Sequence, residues 1–180
     1  MYRYHRLGNI PNKKHVQFRK PDGSLYSEQL FSTHGFDGPM STMYHINLPT
    51  EVSAWEDMGE IKPQYLEDEP LRHRHLKTSN MVPLGDAITG RIPLMGNSDL
   101  VWSQVYVAKQ MEHFFKNAEA DEILFVHDGS GTLETMYGDI TVRAGDYLVI
   151  PRGIIWRIRF DATPVRMIVV ESHGPVTTPK

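Results

Sequence analysis

Three groups of residues in this 180-residue chain have types and spacings that could do chemistry. His73-Arg74-His75 sets two imidazoles two positions apart, so in a strand both rings would face one way, as a chelating pair does. The basic neighbours Arg72, Arg74 and Lys77 repel a cation, and an exposed edge strand or a subunit contact is the better reading. His113, His127 and His173 could join Glu122 in a metal site only if separate segments of the chain converged. Glu122 by itself is a single carboxylate, which rarely holds a metal; it is expected to accept hydrogen bonds from backbone or from a neighbouring chain. Gly129-Ser130-Gly131 contains a hydroxyl, but it sits in a tight turn between apolar runs, with no G-x-S-x-G, phosphate-binding loop or dinucleotide fingerprint anywhere. The absence of cysteine removes thiolate nucleophiles, zinc ribbons, iron–sulfur clusters and disulfides. No residue is therefore assigned as catalytic, cofactor-binding or metal-ligating.

The elements that would carry these residues fall into two zones. Residues 1–100 contain Pro11, Pro21, Pro39, Pro49, Pro63, Pro70, Pro83 and Pro93, and each removes a backbone donor and disfavours helix before it. Short strands are expected there at His15 to Arg19 before a Pro21-Asp22-Gly23 turn, at Met43 to Leu48, and at Leu71 to Lys77. From Val101 the pattern changes to apolar runs of strand length separated by Gly or Asp turns. These are Val101 to Ala108, Ile123 to Val126, Gly131 to Tyr137, Ile140 to Arg143, Tyr147 to Ile150, Ile154 to Phe160 and Val165 to Glu171. Seven such runs predict an antiparallel sandwich or barrel, and only Gln110 to Ala120 tolerates helix. Alternation puts Glu122, Leu124 and Val126 on one face, and Trp156, Ile158 and Phe160 on the matching face of their own strand.

Composition narrows the partners. With 19 Lys and Arg against 22 Asp and Glu the net charge is -3, which favours neither nucleic acid nor an anionic membrane. The start, Met1-Tyr2-Arg3-Tyr4-His5-Arg6, is charged, and no apolar run is long enough to cross a bilayer; a soluble cytoplasmic protein is expected.

The segment Gly145-Asp146-Tyr147-Leu148-Val149-Ile150-Pro151-Arg152-Gly153 has a turn, a four-residue strand, a proline where no donor is needed and a second turn. It resembles the second cupin motif, G-D-x-x-x-x-P-x-G-x-x-H. Glu122 to Gly129 is similar to the end of the first motif, where a glutamate stands seven residues before a glycine. The resemblance implies an all-β, cupin-like antiparallel jelly roll. In metal-bearing members the first motif adds an H-x-H pair and the second a histidine three residues after its last glycine. Here that last position is Trp156, whose indole has no lone pair to coordinate a metal. Counting back from Glu122 puts the pair at Phe115 and Asn117 or at Lys116 and Ala118, with no histidine in either case. The barrel mouth is expected to be plugged by aromatics.

Arg6-Leu7-Gly8-Asn9, then Gly23-Ser24-Leu25-Tyr26-Ser27-Glu28-Gln29-Leu30 with its likeness to an L-Y-x-E-Q-L signature, then the degenerate barrel of Asp121 to Arg159, follow one another in order. Together they resemble the N-terminal half of the homogentisate 1,2-dioxygenase family, in particular its shorter bacterial members. That resemblance implies a double-cupin enzyme that opens the homogentisate ring with O₂ in tyrosine and phenylalanine catabolism. It further implies Fe(II) held by two histidines and a carboxylate in a C-terminal cupin domain, and a homo-oligomer, trimer or hexamer. The 180-residue segment alone is then expected to be inactive and to bind no iron. Residues 1–100 read as a proline-rich arm within the same domain, 101–173 as the degenerate barrel, and 174–180 as a linker toward the second cupin. A free-standing, metal-free barrel that binds or isomerises a small molecule is the alternative, and it needs an open polar cavity.

Overall fold

The computed structural model describes residues 17–60, 63–66, 70 and 72–177, without the side chains of Thr33, His34, Gly38 and Pro39. The chain start through Asn9, the first part of the expected strand at His15, Leu71 and the last three residues of the expected linker lie outside the described residues. The described residues up to Glu60 form one compact unit and those from Pro63 onward another.

In the first unit, Gly23 turns the chain at φ 85° and the Asp22 carboxylate accepts hydrogen bonds from the backbone and side chain of Ser24, as the Pro-Asp-Gly sequence predicts. Among the described residues the flanks of this turn are joined by a bridge, Arg19 to Leu25. The regular structure is the antiparallel hairpin of β1 (Ser27–His34) and β2 (Asp37–His45), turned at Gly35 with φ 65°. The strand expected at Met43 to Leu48 thus ends at His45, and the chain from residue 46 to 60 is exposed and irregular.

The second unit contains β3 (Arg91–Gly96), β4 (Leu100–Val107), β5 (Asp121–Val126), β6 (Ser130–Thr135), β7 (Gly138–Arg143), β8 (Tyr147–Ile150), β9 (Trp156–Phe160) and β10 (Val165–Ser172). They form a five-stranded sheet, β3-β4-β10-β5-β8, and a three-stranded sheet, β7-β6-β9, with every pairing antiparallel. The architecture is all-β and cupin-like. Alternation sets the inner faces: Val105, Val107, Leu124, Val126, Met167 and Val169 are buried on one sheet, and Leu133, Val142, Trp156, Ile158 and Phe160 on the other. Each such side chain contributes about 1.5–3 kcal/mol by leaving water. The outer face of the larger sheet is apolar as well, with Trp102, Ile123, Phe125, Tyr147, Val149, Ile168 and Val170 between the few polar groups.

Two local features fix the three-stranded sheet. A Cβ on Gly131 would stand 2.1 Å from the Arg159 carbonyl oxygen, so only glycine lets β6 approach β9 this closely. Gly145, at φ 93°, donates its N–H to the Val126 carbonyl, while the Asp146 carboxylate accepts from the Arg143 N–H and turns the chain into β8.

Gln110 to Ala120 is not helical. Phe115 bridges Trp156, and the Gln110 side chain donates to the Phe160 carbonyl and accepts from its N–H at 2.8 and 2.9 Å. The Asn117 side chain caps a turn at Glu119 and Ala120. Backbone and side-chain groups that a helix would engage internally are committed to the neighbouring sheet. Among the described residues the one helical element is a single 3₁₀ turn, Thr78–Asn80, and no helix is long and apolar enough to cross a membrane.

Candidate functional site

Glu122 lies near the start of β5, on the inner face and wholly buried. Its partner across the ladder on β10 is Glu171, so the sheet places two carboxylate side chains next to each other. Like charges directly opposite repel, and an apolar surrounding strengthens the repulsion. Arg91, at the start of β3 and with its side chain 10% exposed, relieves it. Its Nη1 donates to Glu122 Oε1 at 2.6 Å and lies 3.3 Å from Glu171 Oε1, and its Nε donates to the Ala87 carbonyl at 3.1 Å. The Phe115 ring stands 5.5 Å from the guanidinium carbon, a cation–π distance.

The second oxygen of Glu122 accepts a hydrogen bond from Trp156 Nε1 at 3.0 Å, which ties β9 of the smaller sheet to β5 of the larger one. Trp156 has no exposed surface and meets Phe115 edge to face, ring centroids 5.8 Å apart. Asn117 Nδ2 donates to Glu171 Oε1 at 3.0 Å. Both oxygens of Glu122 are thus engaged by N–H donors, one cationic and one neutral. Of the two spacings that the sequence allows, Phe115 and Asn117 face this cluster, whereas Lys116 and Ala118 are exposed. The aromatic pair expected from the sequence is present: Trp156 is buried and the half-buried Phe115 packs edge to face against it.

The expectation that Glu122 accepts from backbone or from a neighbouring chain is corrected: its partners are the side chains of Arg91 and Trp156. Arg91, Glu171 and this use of Asn117 were not legible beforehand. The one usable signal was indirect, since a carboxylate at the edge of an apolar run that becomes buried must be met by a cation or by hydrogen-bond donors from elsewhere in the chain.

The histidines do not assemble. His73, Arg74 and His75 are exposed in an irregular stretch, so the expected edge strand is absent. His127 lies edge-on to Phe125, with centroids 6.2 Å apart, His113 is exposed, and His173 is exposed, its backbone N–H donating to the Asp99 carbonyl and its carbonyl accepting from Arg152. Among the described residues no three His, Asp or Glu side chains gather in a way that could hold a metal ion. A groove of about 350 Å³ lies away from Glu122, lined by Met95, Gly96, Asn97, Leu100, Trp102 and Val170.

Comparison with known proteins adds what geometry alone does not. Residues 24–179 match the model of the homogentisate 1,2-dioxygenase N-terminal family. The chain belongs to this family. A Saccharolobus solfataricus protein with a provisional dioxygenase name is 38% identical over 161 residues, covering 87% of this chain and 41% of the relative. The homogentisate 1,2-dioxygenase of Rhodopseudomonas palustris is 34% identical over 67 residues, 37% of this chain and 15% of that protein. The family member described here thus spans about two fifths of the first relative's length, and its match to the second is confined to a small part of each. Among solved structures, a cupin protein from Bacteroides fragilis aligns with 56% of this chain and 92% of its own, at 17% identity and a TM-score of 0.41. A cupin-2 domain protein from Shewanella frigidimarina aligns with 46% and 78%, at 21% identity and 0.40. At those scores the architecture rests on the strand order given above.

Proposed function

We propose that this chain is the N-terminal scaffold of an Fe(II)-dependent dioxygenase that cleaves the ring of homogentisate, or of a closely related dihydroxy-aromatic acid, with O₂ in tyrosine and phenylalanine breakdown. The observation that carries this reading is the family match over residues 24–179 in a chain that covers 41% of its dioxygenase-named relative. In this reading the iron and the substrate are held by a C-terminal cupin domain, and the complete protein is a cytoplasmic homo-oligomer, a trimer or hexamer. Fe(II) supplies the means to bring O₂ and the electron-rich ring into reaction. The residues described here position and support. Trp156 is buried in the barrel with Phe115 packed against it, and Arg91 stands between the two glutamates and offsets one of their charges.

Oxygen uptake with homogentisate and Fe(II) tests the assignment. The 180-residue chain is compared with a polypeptide in which it is followed by the remaining C-terminal part of the Saccharolobus solfataricus relative, with the intact relative as control. Uptake is expected from the longer polypeptide and not from the 180 residues. Uptake by the 180-residue chain removes the scaffold reading, and failure of the intact relative to consume oxygen with homogentisate removes the substrate.

A further inference from the structure

The charge arrangement at Glu122 points beyond the scaffold role. Glu122 and Glu171 are ladder partners on β5 and β10, and carboxylate oxygens are the ligands that hard divalent cations take. The cation between them is Arg91, with Nη1 at 2.6 Å from one carboxylate and 3.3 Å from the other. Trp156 occupies the remaining oxygen of Glu122 through an N–H, and an indole N–H can only donate. Arg91 Nη2 is buried and meets no acceptor among the described residues.

We infer that Arg91 is the resident cation of this barrel: it takes the place of a divalent metal ion between Glu122 and Glu171 and closes the pair to metal. The donor set does not fit a metal ion while Arg91 is there, because the Glu122 oxygens are already engaged and Trp156 offers no lone pair. The inference concerns the barrel itself and holds whatever substrate the complete enzyme takes.

Manganese(II) is the probe, since it favours carboxylate oxygen over the histidines on the surface. Three forms of the full 180-residue chain are compared by equilibrium dialysis and thermal melting: the unaltered chain, Arg91→Ala, and Arg91→Ala with Glu122→Gln. The unaltered chain is expected to retain no stoichiometric manganese and to melt at the same temperature in manganese and in EDTA. Arg91→Ala leaves a buried charge unpaired and lowers the melting midpoint by on the order of 10 °C. Manganese recovers part of that loss, and the added Glu122→Gln abolishes the recovery. Should Arg91→Ala not fold, its refolding in manganese is scored in the same way, and Arg91→Lys, which keeps a cation, is expected to fold and to ignore manganese. One manganese per unaltered chain that disappears on Glu122→Gln overturns the inference. So does an Arg91→Ala chain that melts normally, or one that manganese fails to rescue.

Discussion

At Asp121 a carboxylate only 3% exposed accepts hydrogen bonds from the Arg152 N–H at 3.0 Å, from Arg152 Nε at 3.2 Å and from the Val176 N–H at 2.8 Å. Burial alone raises its pKa. The backbone bonds from Arg152 and Val176, together with the Arg152 guanidinium, outweigh that and hold it below the ordinary aspartate value. A depressed folded-state pKa means that the stabilisation is fully present above the unfolded value, about 3.9, and is lost as pH falls through the folded one. Asp121→Asn is therefore expected to lower stability by about 1–3 kcal/mol at pH 7, with the gap closing below about pH 4. Denaturant titrations at pH 7 and pH 3 check this, and a gap of equal size at both would show that the charge is irrelevant. The residues of the site differ in how far they could be read. Trp156 was legible because motif spacing fixes its position three residues after Gly153, and Glu122 because the first motif sets a glutamate seven residues before Gly129. Arg91 was not, because its partners lie 31 and 80 positions downstream in the ladder of a sheet that no local pattern announces.

The strands from Val101 onward were legible as elements because each buries one face, and the resulting apolar alternation is a local signal. β1 was missed because Ser27-Glu28-Gln29 carries no apolar stripe, and β3 because Pro93 breaks its pattern. Pro93 is tolerated there since β3 is an edge strand with a register shift beside the proline. Gln110 to Ala120 read as the one stretch compatible with helix, and tertiary bonds overrode that tendency. The Gln110 amide extends β9 by offering a donor and an acceptor to Phe160, as a neighbouring strand would. Gln110→Ala removes both and is expected to cost about 2 kcal/mol in denaturant titration. Hydrogen exchange at the Phe160 amide should quicken in the same variant; an unchanged rate would show that Gln110 does not hold this edge.

Over the whole molecule, the family and the all-β architecture were legible, the first from short ordered motifs and the second from strand periodicity. The division of the described residues into a unit ending at Glu60 and another beginning at Pro63 was not, since no change of composition marks it. Every described residue from 46 to 60 is exposed, including Trp55 and Met58, and none is in a strand or helix. A glutamate-specific protease is expected to cut first at Glu51 and Glu56, leaving a fragment that retains the strand signal of β3 to β10 in circular dichroism. First cuts within β4 to β10, read by mass spectrometry, would contradict this. The guanidinium at Glu122 has a consequence for how such a molecule comes into being. A metal ion is a second reactant: it must be met, can be the wrong element, and can be withdrawn by a chelator. Arg91 is delivered by translation, one per chain, thirty-one residues ahead of the first glutamate it serves. At this pair the barrel can then close without waiting for a second reactant.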